Sequence, residues 1–165
     1  TQARAAQVVS IIAQAKHGDR ILARLKLYRA AQPSETRSWC CFMLTRALGR
    51  VGHSASVELF IDMLAHDPTE TALGLNMPPQ HLVYKGWRPF YRPAAAWSLG
   101  ELKAVAAVPV LMTVLQELVN APSTREQAAI ALGKIGDQES LEELKAIGID
   151  YPEVVTRRAI LESVR

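Results

Sequence analysis

Residues that could carry chemistry are few and scattered. The histidines stand at 17, 53, 66 and 81, with no H-x-x-x-H, C-x-x-C or acidic metal-loop spacing around them, so no zinc or calcium site is predicted. Cys40 and Cys41 are adjacent, which suits neither a metal site nor a disulfide between neighbours. Beside Trp39 and Phe42 on a helical stretch, they read as small buried hydrophobes rather than nucleophiles. They fit a reducing compartment and favour a cytoplasmic setting. Glu139, Glu142 and Glu143 recur at helical spacing and read as a solvated face, not as a carboxylate pair for hydrolysis. The glycines punctuate helix ends and build no phosphate-cradling loop. The expectation from these residues is no catalytic group, no metal and no cofactor: a chain that is not an enzyme.

Aromatic residues give a stronger signal. Tyr84, Trp87, Phe90 and Tyr91 crowd one short stretch together with Arg88. Prolines at 68, 78, 79, 89 and 93 prevent a regular helix from running through it. An irregular excursion over about 66–90 is expected, and loops of that length in compact domains are commonly functional. Tyr84, Trp87, Arg88, Phe90 and Tyr91 are therefore the expected partner-binding residues. The same rings could instead fold back over a widened gap between neighbouring elements, and the two roles are compatible.

The elements that position these residues follow from a repeat. Ala-Leu-Gly-Arg-Val-Gly-His spans 47–53, Ser-Leu-Gly-Glu-Leu-Lys-Ala spans 98–104 and Ala-Leu-Gly-Lys-Ile-Gly-Asp spans 131–137. Leu99 and Leu132 are 33 residues apart, Leu48 and Leu99 are 51 apart, and Val164 follows Leu132 by 32. A unit of that size cannot bury its own apolar face, so units must stack. Each unit reads as two helices. Ser123 and Glu126 form a capping-box pattern, Ala128, Ala129, Ala131 and Leu132 make a small-residue stripe, Gly133 and Gly136 end the helix, and Asp137 caps the next. Leu141, Leu144 and Ile147 line that second helix, as Val108, Leu111 and Leu115 do one unit earlier. Before them come a first helix from Trp39 to Leu48, a second carrying Val57, Phe60, Ile61 and Leu64, and helices at about 3–16 and 19–31. A last helix is expected from Asp150, with Glu153 completing a second capping box.

This pattern resembles the HEAT-repeat superfamily, in the short form also found in phycobilin lyase subunits. The resemblance implies an all-α fold, a right-handed α-α superhelix of about four to five helical hairpins with one irregular insertion. Residues 1–165 then form a single repeat domain. A start at Thr1 and a stop where the next repeat would place its Gly are expected of a piece of a longer protein. In the family an Arg early in each first helix and an Asp in the hairpin turn form a polar ladder. Arg92, Arg125 and Arg157 match the Arg site and Asp137 the turn Asp, whereas Cys41, His53 and Ala104 depart from the pattern. Inter-repeat pairing and carbonyl capping are the expected work of these arginines.

The leading functional expectation is a non-catalytic scaffold that binds a protein or peptide. It would use a concave surface lined by second helices, with the aromatic insertion adding contacts. One alternative is an accessory domain of a larger enzyme, a phycobilin-lyase-like subunit included. Another is nucleic-acid binding by a basic face carrying Lys16, Arg20, Arg24, Lys26, Arg29, Arg46 and Arg50. A formal net charge of only +3, with charges interspersed, argues against the last. No apolar run is long enough for a transmembrane helix, and no signal-peptide pattern opens the chain.

Overall fold

A computed structural model describes residues 2–31, 34–66, 91–118 and 120–164. Helix α1 (Gln2–Ile12) is followed by a 3-10 turn at Ala15–His17 and by α2 (Gly18–Ala30). The expected single run to residue 16 breaks at Gln14, whose backbone is extended. Helix α3 (Glu35–Arg50) starts where Ser34 Oγ accepts the Arg37 N–H at 3.1 Å, satisfying one of the donors that a helix start leaves open. A second 3-10 turn leads into α4 (Val57–His66).

Beyond the stretch at 67–90, α5 (Tyr91–Glu101) and α6 (Val108–Gln116) form the next hairpin, with Pro109 in the opening turn of α6. Helix α7 (Pro122–Ile135) does not use the Ser123–Glu126 capping box. Pro122 occupies the first turn, where a missing N–H costs nothing, and Ala121 stands at the cap. Helix α8 (Gln138–Gly148) is capped as expected, Asp137 accepting the Ser140 N–H at 3.0 Å. Helix α9 (Val154–Ser163) begins later than the Asp150 start expected, because Glu153 stands at its cap with its carboxylate engaged by Arg125 and Thr156.

No strand occurs among the described residues. The architecture is an all-α, HEAT-like solenoid. First helices α1, α3, α5, α7 and α9 pack in a row, each against the next, and this row is in more extensive contact than the row of second helices α2, α4, α6 and α8. The recurring leucines Leu48, Leu99 and Leu132 are fully buried in one core with Leu25, Phe60, Leu111, Leu144 and Ile160. Each such side chain stabilises the fold by about 1.5–3 kcal/mol relative to exposure.

The glycine after each of those leucines does not end the helix. Gly49, Gly100 and Gly133 lie inside α3, α5 and α7, where the next first helix crosses. A Cβ on Gly49 would stand 2.7 Å from Ser98 Cβ, one on Gly100 2.8 Å from Ala131 Cα, and one on Gly133 2.5 Å from Ser163 Cβ. The motif is thus a spacer that sets the approach of successive first helices. At Gly49 that approach also brings Ser98 Oγ to the Thr45 carbonyl at 3.0 Å.

Three residues later the chain turns. Gly52 and Gly136 adopt φ of 72°, and Lys103 fills the matching place at φ of 48°. His53 N–H donates to Leu48 O and Ala104 N–H to Leu99 O, both at 3.1 Å, so the Gly and Lys turns close alike. A left-handed conformation costs an L-residue about 1–2 kcal/mol, partly offset in a Lys-to-Gly change by the freer unfolded chain. Lys103→Gly is therefore expected to raise stability by up to about 1 kcal/mol in urea denaturation. An unchanged or lowered midpoint would refute this account of the turn.

Candidate functional site

A row of guanidinium groups joins each first helix to the end of the preceding second helix. Arg92 is buried and donates to Leu64 O at 2.6 Å and Asn120 Oδ1 at 2.9 Å. Arg125, also buried, donates to Leu118 O at 2.9 Å and to Asn120 O, and its other branch pairs with Glu153. Arg157 Nε donates to Tyr151 O at 2.7 Å. Each fork takes up carbonyls in the last turn of a second helix or in the chain just beyond it, which a planar multi-donor group does well. Burial pulls the Arg125 guanidinium below its ordinary value, while the Tyr151 phenol acts in the opposite sense.

Two members of this row escape the sequence pattern. Arg37, one turn before Cys41, donates to Tyr28 O at 3.0 Å and Arg29 O at 2.7 Å, so it does for α2 what Arg92 does for α4. Asn120, 2% exposed, bonds both to Arg92 of α5 and to the Val114 carbonyl of α6 and links the two helices of one hairpin through one amide. An Arg displaced by one helical turn keeps its face and could have been found by searching i−4 of the expected site. Asn120 carried no such signal. Asp137 does not join the row; it caps α8.

Across the outer side of the first helices runs an open groove of about 420 Å³. Helix α3 supplies Phe42 and Arg46, α5 supplies Trp97, and α7 supplies Glu126, Ile130 and Lys134. The helical period brings these residues to one face, and the glycine-spaced crossings bring the three helices close enough to share it. Trp39 stacks on Phe42 at 5.6 Å, Arg46 lies 4.2 Å from the Trp97 ring, and Lys134 lies 5.6 Å from the same ring while pairing with Glu101. A ring face flanked by two cations attracts each of them electrostatically and holds their stems in place. The arrangement can bind a ligand with apolar area and polar or anionic groups. The expected binding surface lay on second helices; this groove lies on first helices.

Tyr84, Trp87, Arg88 and Phe90, with most of the 66–90 excursion, lie outside the described residues. Tyr91 is only 2% exposed and packs in the core, with the Arg37 guanidinium 5.9 Å from its ring. Cys40 and Cys41 are both buried and unbridged. Burial pushes the Cys40 thiol up, against the sense needed for a nucleophile. His53 bridges Ser56 Oγ at 2.8 Å and Asp19 at 3.1 Å, and His66 meets Asp62 at 2.8 Å. Arg29 from α2 and His66 together hold the Asp62 carboxyl below the usual carboxylate range, Arg29 having the larger effect. Among the described residues no three His, Cys, Asp or Glu side chains converge as a metal site, and no helix is long and apolar enough to cross a membrane.

The family profile of HEAT repeats matches residues 87–165. The chain is 39% identical over 62 residues to the deoxyhypusine hydroxylase of Candida glabrata, which is 38% of this chain and 19% of that protein. It is 36% identical over 78 residues to the Schizosaccharomyces pombe deoxyhypusine hydroxylase, 47% of this chain and 24% of that protein. Against the human deoxyhypusine hydroxylase it is 44% identical over 55 residues, 33% of this chain and 18% of that protein. The chain thus spans about a fifth to a quarter of the length of these relatives. These matches overturn two expectations: the reading of the chain as a non-catalytic scaffold, and the statement that it is not an enzyme. Both rested on motif spacing within one short chain, whereas the similar segments belong to enzymes. The stacked hairpins and the profile match over residues 87–165 agree on an all-α, HEAT-like repeat architecture.

Proposed function

We propose that this chain is an accessory HEAT-repeat segment of a larger enzyme of the hydroxylase kind, and that its first-helix groove holds part of the molecule acted upon. The similarity to deoxyhypusine hydroxylases from several species carries the reading, and the groove supplies a physical means. Phe42 and Trp97 offer apolar area, Arg46 and Lys134 offer charge, and the rings and cations restrain one another before a ligand arrives. Such restraint lowers the ordering cost of binding.

The test uses the intact polypeptide that contains this chain and a deoxyhypusine-bearing substrate, with gain of one oxygen followed by mass spectrometry. The human deoxyhypusine hydroxylase serves as the positive control. Oxygen gain is expected; none, while the control reacts, overturns the enzyme assignment. Trp97→Ala and Arg46→Gln are each expected to raise KM about tenfold, equivalent to about 1.4 kcal/mol, with kcat little changed. A fall in kcat at constant KM would remove the groove from substrate binding.

A further inference from the structure

Charge is distributed unevenly along the chain. Through residue 50 there are nine Lys and Arg against two Asp and Glu, while the rest of the chain holds ten against fourteen. The small net charge therefore hides a basic N-terminal end, and the solenoid keeps that end together as one hairpin and the helix packed on it. In this part of the molecule an open cleft of about 400 Å³ lies between α1, α2 and α3. Val9 and Ile12 of α1, Ile21 of α2 and Leu44 of α3 make an apolar floor. Arg20 and Arg24, one helical turn apart on α2, stand at its edge.

Among the described residues neither arginine is paired with a carboxylate. The nearest carboxylate on α2, Asp19, is directed to His53 at 3.1 Å, and Arg24 lies 5.1 Å from the Tyr28 ring. The apolar edge is also open: Ile11 and Ile12 are 65% and 64% exposed, on a helix whose buried positions are few. A cleft of this size lies within the range of ligand sites and accepts one large apolar side chain.

We propose that this cleft docks an acidic peptide segment, one apolar side chain entering between α1 and α2 while flanking carboxylates meet Arg20 and Arg24. Guanidinium forks suit carboxylates, and the pairing of an apolar anchor with a charged rim is a common way to recognise a short segment. The wall composition disfavours nucleic acid, since His17 is the one ring in the cleft lining and no Phe, Tyr or Trp face is there to stack a base. This docking is independent of the enzyme assignment and of the first-helix groove.

The test is a fluorescence-anisotropy titration of the chain with a labelled peptide carrying a central Leu between Asp and Glu residues. Parallel arms use the same peptide with Asn for Leu, single-stranded DNA, and vesicles of phosphatidylserine. The acidic Leu peptide is expected to bind most tightly and to weaken as salt rises. Arg20→Glu with Arg24→Glu should cost at least about tenfold in affinity, and Asn for Leu a comparable factor. Both arginines are exposed, so the double variant should retain wild-type helicity by circular dichroism. Ile12→Asn, also at an exposed position, provides an independent apolar variant and should weaken the Leu peptide alone. Absence of peptide binding, affinity unmoved by charge reversal, or tighter capture of DNA or vesicles each overturns the proposal.

Discussion

Arg125→Met is expected to lower the free energy of unfolding by about 1–3 kcal/mol or more, because it removes a buried guanidinium from two carbonyls and from a carboxylate that is itself partly exposed. The guanidinium holds Leu118 O, Asn120 O and the Glu153 carboxylate from a side chain with only 3% of its surface exposed. Met supplies no donor, so two carbonyls must recover water or remain unpaired, and the Glu153 carboxylate keeps only Thr156 as a partner. Arg125→Lys keeps the charge and loses the fork, and should recover only part of the deficit. Glu153→Gln added to Arg125→Met should restore stability relative to the single change, since it removes the stranded charge. Urea denaturation at neutral pH measures all three. A loss below about 1 kcal/mol for the Met variant would place the pair among ordinary surface bridges.

The second large effect concerns the spacing of helices. Gly100→Val is expected to destabilise by about 1–3 kcal/mol or more, since the new side chain has no room without moving α7. Even a single Cβ would lie 2.8 Å from Ala131 Cα and 3.0 Å from Ala131 Cβ. The backbone atom cannot rotate aside as a flexible side chain could. Gly100→Ala separates two accounts: as an ordinary helix position it should gain about 1 kcal/mol from propensity, and as a spacer it should lose stability. Ala131→Gly combined with Gly100→Ala should return part of the loss by removing the facing Cβ. A stabilised Gly100→Ala protein would refute the spacer role.

These two cases mark where a sequence reading is strong and where it stops. Leu48, Leu99 and Leu132 announce themselves by period, because burial demands an apolar side chain wherever the chain returns to the same face. The Asp137 cap is legible for a similar reason, since its partner is three residues away. The Ser123–Glu126 pattern has the same local form and is not used, because Pro122 starts α7 one residue earlier. Glu153 is drawn into a distant pair with Arg125, and α9 begins after it rather than at Asp150. Local rules yield where a partner from another repeat competes for the same group.

The groove shows the same division more sharply. Phe42, Arg46, Trp97 and Lys134 lie in three separate repeats, and nothing in their spacing marks them as one surface. Their meeting depends on the distance and angle between α3, α5 and α7, which Gly49 and Gly100 control where those helices cross; a Cβ on Gly100 would lie 3.5 Å from Lys134 Cδ in the groove itself. Likewise the cation at the first unit is supplied by Arg37, although the matching position holds Cys41. A guanidinium can reach the same carbonyls from one turn away because its stem is long.

By itself the sequence determined the helices, the repeat length and the buried leucines, since each depends on contacts within one hairpin or on period alone. Only the tertiary structure decided which glycines are spacers and which are turns, which arginines reach which carbonyls, and where rings and cations form a groove. The physical reason is range. Helix formation and capping are settled within a few residues, whereas helix approach and shared surfaces are settled between residues in different repeats, where only the packed chain sets the distance.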